Sequence, residues 1–110
     1  MVFVERLQYS RTKVEWPASI STSQGSIEGT VKNISLGGAF IRLAELPYMD
    51  ETLDLSIEIP EHHYALFTMA EPVRFDVDET ESTSVFYGLG VRLKDIPEDD
   101  VEFLSTTALR

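Results

Sequence analysis

The chain has 110 residues, a net charge of −10 and no cysteine. That length suits one domain and is too short for two separate cores. The missing thiols exclude disulfides, thiolate zinc sites and a cysteine nucleophile. The acidity argues against general DNA or RNA binding, which is driven by phosphate neutralisation.

The charge is unevenly spread. Residues 1–43 hold five basic and three acidic side chains, and residues 44–110 hold four and sixteen. The amino-terminal part is therefore the one place where a small anion would meet a favourable field. Its first residues, MVFVERLQYSR, mix acid and base and lack a long apolar stretch. They do not read as a signal peptide, and no run approaches the length of a membrane span. A reducing, cytoplasmic location is expected.

Period-two alternation governs the next eighty residues. Val14, Trp16, Ala18 and Ile20 share one face of a first strand, where Trp16 is expected to bury. Ser23-Gln24-Gly25-Ser26 turns the chain, with Gly25 supplying a positive φ. Ile27, Gly29 and Val31 form a second run and Ala39 to Leu43 a third. Leu53, Leu55, Ile57 and Ile59 alternate with polar residues in the clearest half-buried strand, which Pro60 ends. Phe67 to Val77 is a long fifth strand whose Pro72 predicts an edge or a bulge. DVDETEST, residues 76–83, is an acidic hairpin loop, and Val85 to Leu93 a sixth strand.

After Leu93 the period changes. Pro97 suits a first helical position, and Glu98, Asp99 and Asp100 place negative charge at the positive end of a helix dipole. A short helix is expected at about 97–109. The pattern predicts an all-β fold, six antiparallel strands in a closed or nearly closed barrel, with one C-terminal helix.

Catalytic signals are weak, and the chain is not expected to be an enzyme. Ser35 lies in Asn33-Ile34-Ser35-Leu36-Gly37-Gly38, outside any nucleophile elbow. His62 and His63 are adjacent in a turn, and neighbours on an extended chain point apart, so no metal site is expected. DVDETE lacks the glycine of a calcium loop. The candidate binding residues are Arg6 and Arg11, ahead of the first strand, and the Asn33–Gly38 block between the second and third.

With these motifs in this order, the chain resembles the PilZ domain, the bacterial receptor module for cyclic di-GMP. Asn33, Ser35 and Gly38 match that family's Asp/Asn-x-Ser-x-x-Gly motif. Arg11 matches the second arginine of its Arg-x-x-x-Arg motif, and TKVEWPASI and YGLGVRLKDIPEDD resemble its first strand and its last strand with the helix start. The first arginine is out of register, because position 7 is Leu7 and the nearest arginine is Arg6. The resemblance implies a PilZ-like split or Greek-key barrel spanning 12–110, with residues 1–11 as a flexible ligand-binding segment. It implies cyclic di-GMP as ligand, bound through Arg6, Arg11, Asn33, Ser35, Gly37 and Gly38. It also implies a protein partner that receives the signal by conformational change.

The chemistry is coherent with that ligand. Arginine is a planar fork for phosphate or for guanine O6 and N7. Asn33 can accept from a guanine donor, Ser35 can donate and accept, and Gly37 and Gly38 allow close approach to a flat base. The alternative is a PilZ-like barrel that does not bind the nucleotide and acts as a protein-interaction adaptor. An oligonucleotide-binding barrel is disfavoured by charge and by the shortage of stacking aromatics near the basic segment.

Overall fold

The computed structural model describes residues 11–47, 52–78 and 85–109. The expectations for Arg6 and the segment 1–10 lie outside these residues. Six strands are formed: β1 (Thr12–Thr22), β2 (Gly25–Ile34), β3 (Gly38–Leu43), β4 (Leu53–Ile59), β5 (Tyr64–Asp78) and β6 (Phe86–Lys94). They close into an antiparallel barrel in the order β1-β2-β3-β6-β5-β4. One helix, α1 (Glu98–Phe103), follows and continues as a wider π turn over Leu104–Ala108.

Alternation produces the core. Inward positions such as Ile20, Val31, Ile41, Ile57 and Leu89 are at most 1% exposed, while their neighbours along each strand lie on the outer face. Leu104 from the π turn is fully buried and joins the same cluster. Tyr64 at the start of β5 stacks on Phe103 with ring centroids 4.0 Å apart, and its hydroxyl donates to the Asp100 carboxylate. That bond, aided by burial and by the charges of Asp100 and Asp99, raises the Tyr64 pKa above 10.0. Trp16 is buried, as its register predicts, and its indole Nε1 donates to the Glu61 carboxylate at 3.1 Å. Gly25 has a φ of 121° in the β1–β2 turn.

Three bulges interrupt the ladders: between Lys13 and Trp16 in β1, between Val31 and Asn33 in β2, and between Pro72 and Arg74 in β5. Each inserts an extra residue and resets which side chains face out. In β2 the buried positions run Ile27, Val31 and then Ile34. The bulge at Lys32 shifts the parity, so Asn33 faces outward where unbroken alternation would have turned it inward. The proline in β5 marks a bulge, as its place in the run predicts.

Candidate ligand site

The bulges bring a row of side chains onto the outer face of the barrel. Lys13 pairs with Asn33, Asn33 with Phe40, Phe40 with Gly90, and Gly90 with Arg74. The row crosses five strands. Arg11, at the foot of β1, donates from Nη1 to Asn33 Oδ1 at 2.8 Å. Arg11, Asn33, Phe40, Val73, Arg74 and Gly90 line a groove of about 340 Å³. Asn33 and Phe40 also line a neighbouring groove of about 930 Å³ that reaches Lys13, Arg42 and Asp76.

The floor is flat because β6 carries glycines at alternate outward positions. A Cβ on Gly88 would lie 2.2 Å from the Phe40 ring, and one on Gly90 would lie 3.2 Å from Arg74 Cγ. Their absence lets Phe40 and Arg74 lie down against the sheet. Phe40 thereby lines the same groove as Arg11 and Arg74. Beyond it, the Arg42 guanidinium sits 4.0 Å from the centroid of the Phe86 ring, and its buried Nε has no hydrogen-bond partner.

The Asn33–Gly38 block is a tight, internally bonded turn. The Ser35 amide donates to the Gly38 carbonyl at 2.8 Å, and the Ser35 hydroxyl accepts from the amides of Gly37 and Gly38, both at 3.2 Å. The Gly37 carbonyl accepts from the Leu93 amide at 3.1 Å, which ties the turn to β6. Ser35 is 3% exposed. Gly38 is also buried: a Cβ there would meet the Val91 carbonyl oxygen at 2.7 Å and Arg11 Nη2 at 3.5 Å. Of the sequence candidates, then, Arg11 and Asn33 face the groove. Ser35 and Gly38 lie behind them, and their close neighbours belong to the protein itself.

Charge singles out the same face. Lys32 pairs with Glu15, and Arg92 and Lys94 pair with Glu71. Arg11, Lys13, Arg42 and Arg74 form no salt bridge among the described residues. Arg11 and Arg74 line the smaller groove, and Lys13 and Arg42 line the larger one, where Glu15, Glu61 and Asp76 also lie. Phe40, Arg74, Gly88 and Gly90 were not singled out from the sequence. The signals were present: Ala39, Ile41 and Leu43 point inward, which turns Phe40 outward, and Gly88-x-Gly90 inside a strand marks a close approach.

A small closed barrel thus carries an arginine, an amide and an aromatic ring on its outer wall. The PilZ domain family model matches residues 5–106, and the chain belongs to that family. Its fold is similar to that of the Bacillus subtilis inhibitor of motility MotI/DgrA, with TM-score 0.77 and 27% identity over 94% of this chain and 49% of that one. It is similar to K. pneumonia MrkH in its apo state, with TM-score 0.76 and 14% identity over 92% and 48%. It is also similar to Borreliella burgdorferi PlzA in complex with c-di-GMP, with TM-score 0.70 and 7% identity over 98% and 54%. The chain thus spans about half the length of each of these proteins. No curated protein sequence matches it. Among the described residues, no helix is long and apolar enough to cross a membrane.

Proposed function

We propose that this chain is a cyclic di-GMP receptor that relays binding to a protein partner by a change of conformation and catalyses no reaction. The observation that carries the reading is the Arg11–Asn33 hydrogen bond at the rim of a groove that also holds Phe40 and Arg74. Two guanidinium forks suit phosphate oxygens and the O6/N7 edge of guanine. The Phe40 ring offers a stacking surface for a base. Ser35 and Gly38 act through the turn that aims Asn33, and Arg6 adds charge from the preceding segment. Family membership and the ligand bound by PlzA support this choice.

Isothermal titration of the chain with cyclic di-GMP, with GMP as control, tests the reading. Saturable heat with the cyclic dinucleotide and none with GMP is expected. No heat, together with unchanged amide exchange at residues 33–38, would overturn it in favour of the adaptor. That second reading has one observation of its own: Leu7 stands where the family motif has its first arginine.

A further inference from the structure

Strand β4 lends no residue to the two grooves around Phe40. Its outer side chains instead line a third groove of about 410 Å³, on the β1–β4–β5 wall of the barrel, which shares no residue with those two. The register explains its shape. Ser19 pairs with Ser56 and Ser56 with Phe67, and in the next row Ser21 pairs with Asp54 and Asp54 with Met69. Short serine side chains leave the floor low. Phe67 beside them is 67% exposed, where a ring of that size is usually covered.

Two carboxylates line the groove with that ring. Asp54 is exposed on β4. Asp95 follows the end of β6 with a φ of 57°, which turns the chain there. The Thr68 hydroxyl donates to the Lys94 carbonyl at 2.7 Å, and so ties that turn to β5 next to Phe67. Among the described residues, neither Asp54 nor Asp95 has a hydrogen-bond or ion-pair partner on its side chain. Lys94, which pairs with Met69 at the end of the Asp54 row, lies 3.8 Å from Glu71 instead. A third carboxylate, Glu28, accepts from the Ser19 hydroxyl at 3.1 Å on the β2 side.

An exposed ring flanked by free carboxylates is a site for a cation with a flat face. A guanidinium can lie on the ring and give its N–H groups to the carboxylates, while its apolar stem packs on the ring edge. An ammonium has neither the plane nor the fork. A purely apolar side chain would strip water from the carboxylates and leave them unpaired. An anion would be repelled. The chain makes the same stack internally, with the Arg42 guanidinium 4.0 Å from the centroid of the Phe86 ring.

We infer that the β1–β4–β5 wall is the docking surface for a protein partner that presents an arginine, stacked on Phe67 and bonded to Asp54 and Asp95. The inference gives a surface to the partner of the proposed function, and it serves the receptor and the adaptor alike. It rests on no nucleotide contact.

The test is an amide NMR titration of the isotope-labelled, ligand-free chain with the peptide acetyl-Leu-Arg-Leu-amide. Saturable shifts at Ser56, Phe67, Thr68 and Asp95 are expected, with a dissociation constant on the order of 1 mM for so small a probe. Acetyl-Leu-Lys-Leu-amide should bind about fivefold more weakly, and acetyl-Leu-Glu-Leu-amide should not bind. Asp54→Asn, Asp95→Asn and Phe67→Ser should each raise the dissociation constant by about fivefold or more. Glu58→Gln, at an exposed β4 carboxylate outside the groove, should leave it unchanged. All four positions are exposed, and circular dichroism checks that each variant is folded. Phe67→Ser should bind cyclic di-GMP as the natural chain does, so failure of this surface and failure of the nucleotide reading are read separately. Absence of saturable shifts with the arginine peptide overturns the inference. Equal affinity for the arginine and lysine peptides, indifferent to Phe67→Ser, also overturns it, because attraction to an acidic chain then explains the binding. Shifts at the same amides that grow with the concentration of the chain alone overturn the partner assignment in favour of a second copy.

Discussion

Arg11 and Asn33 are 22 positions apart in the chain and 2.8 Å apart in space, with the guanidinium donating to the amide oxygen. The bond joins the residue that leads into β1 to the residue that ends the β2 bulge. Each can do its part only because the other is held: Asn33 is turned outward by the extra residue in β2, and Arg11 finds its acceptor there. The pair is exposed, so its own contribution to stability is small. Its effect is positional, since it holds a charged fork at the groove.

Arg11→Ala should therefore lower ligand affinity and leave the fold intact. The lost charge-assisted contact is worth about 1.5–3 kcal/mol, or at least about tenfold in Kd. Titration calorimetry with cyclic di-GMP reads the affinity, and thermal melting reads the fold. An unchanged Kd would remove Arg11 from the site.

Ser35 and Gly38 should behave differently, because both are buried behind the groove. Ser35→Ala leaves the amides of Gly37 and Gly38 without their acceptor. The expected loss of stability is about 1–2 kcal/mol, with a fall in Tm of roughly 4–8 °C for each kcal/mol. Gly38→Ala drives a methyl to within 2.7 Å of the Val91 carbonyl oxygen. Backbone cannot rotate away as a side chain can, so β3 and β6 must part, at a cost of about 2–3 kcal/mol. Gly38→Ala should melt lower than Ser35→Ala. The reverse order would mean that the turn, and not the strand contact, is what glycine protects.

The barrel was legible because its pattern is local. Leu53, Leu55, Ile57 and Ile59 alternate without interruption, and β4 covers those residues. The helix was legible from Pro97 and its acidic first turn, and α1 begins at Glu98. The Asn33-x-Ser-x-x-Gly38 motif was visible as residue types, but the direction of a hydroxyl is not written in spacing. Ser35 turns its oxygen toward its own backbone, which only the closed turn decides. Phe40 and Arg74 come to one groove through the register of three strands, and that register depends on the bulge at Val73. Pro72 announces a bulge without saying which residue it expels, so the neighbours of Gly90 had to come from the fold.

The docking of α1 gives a pH prediction. The Tyr64 hydroxyl donates to Asp100, which raises the phenol pKa above 10.0, helped by burial and nearby carboxylates. A raised pKa on an acid means that the folded state favours the protonated form. The stabilisation is complete below the unfolded value of about 10 and is lost as pH rises through the folded value. Tyr64→Phe keeps the stack on Phe103 and removes the bond, so it should cost about 1 kcal/mol at neutral pH. The difference in Tm between the natural chain and Tyr64→Phe should shrink as pH is raised above about 10. A difference that is constant up to pH 11 would show that the hydroxyl contributes through packing alone.

The last prediction turns on the arginine that is out of register. The family motif places an arginine four positions before Arg11, where this chain has Leu7, and Arg6 stands one position earlier. If that place in the site is filled by Arg6, Leu7→Arg offers a better-placed fork and should tighten cyclic di-GMP binding. The gain should be about 1–2 kcal/mol, or roughly five- to thirtyfold, less than a full contact because Arg6 already supplies part of the field. Arg6→Ala should weaken binding by the natural chain yet matter little beside Leu7→Arg, since one place holds one arginine. Non-additivity of this kind is what a double-mutant cycle measures. If Leu7 instead serves as an apolar anchor, Leu7→Arg lowers Tm and leaves the affinity unimproved. Titration and melting of the natural chain, the two single variants and the double variant separate these outcomes. Equal affinities across all four would remove position 6 from the site, leaving Arg11, Asn33, Phe40 and Arg74 to hold the ligand.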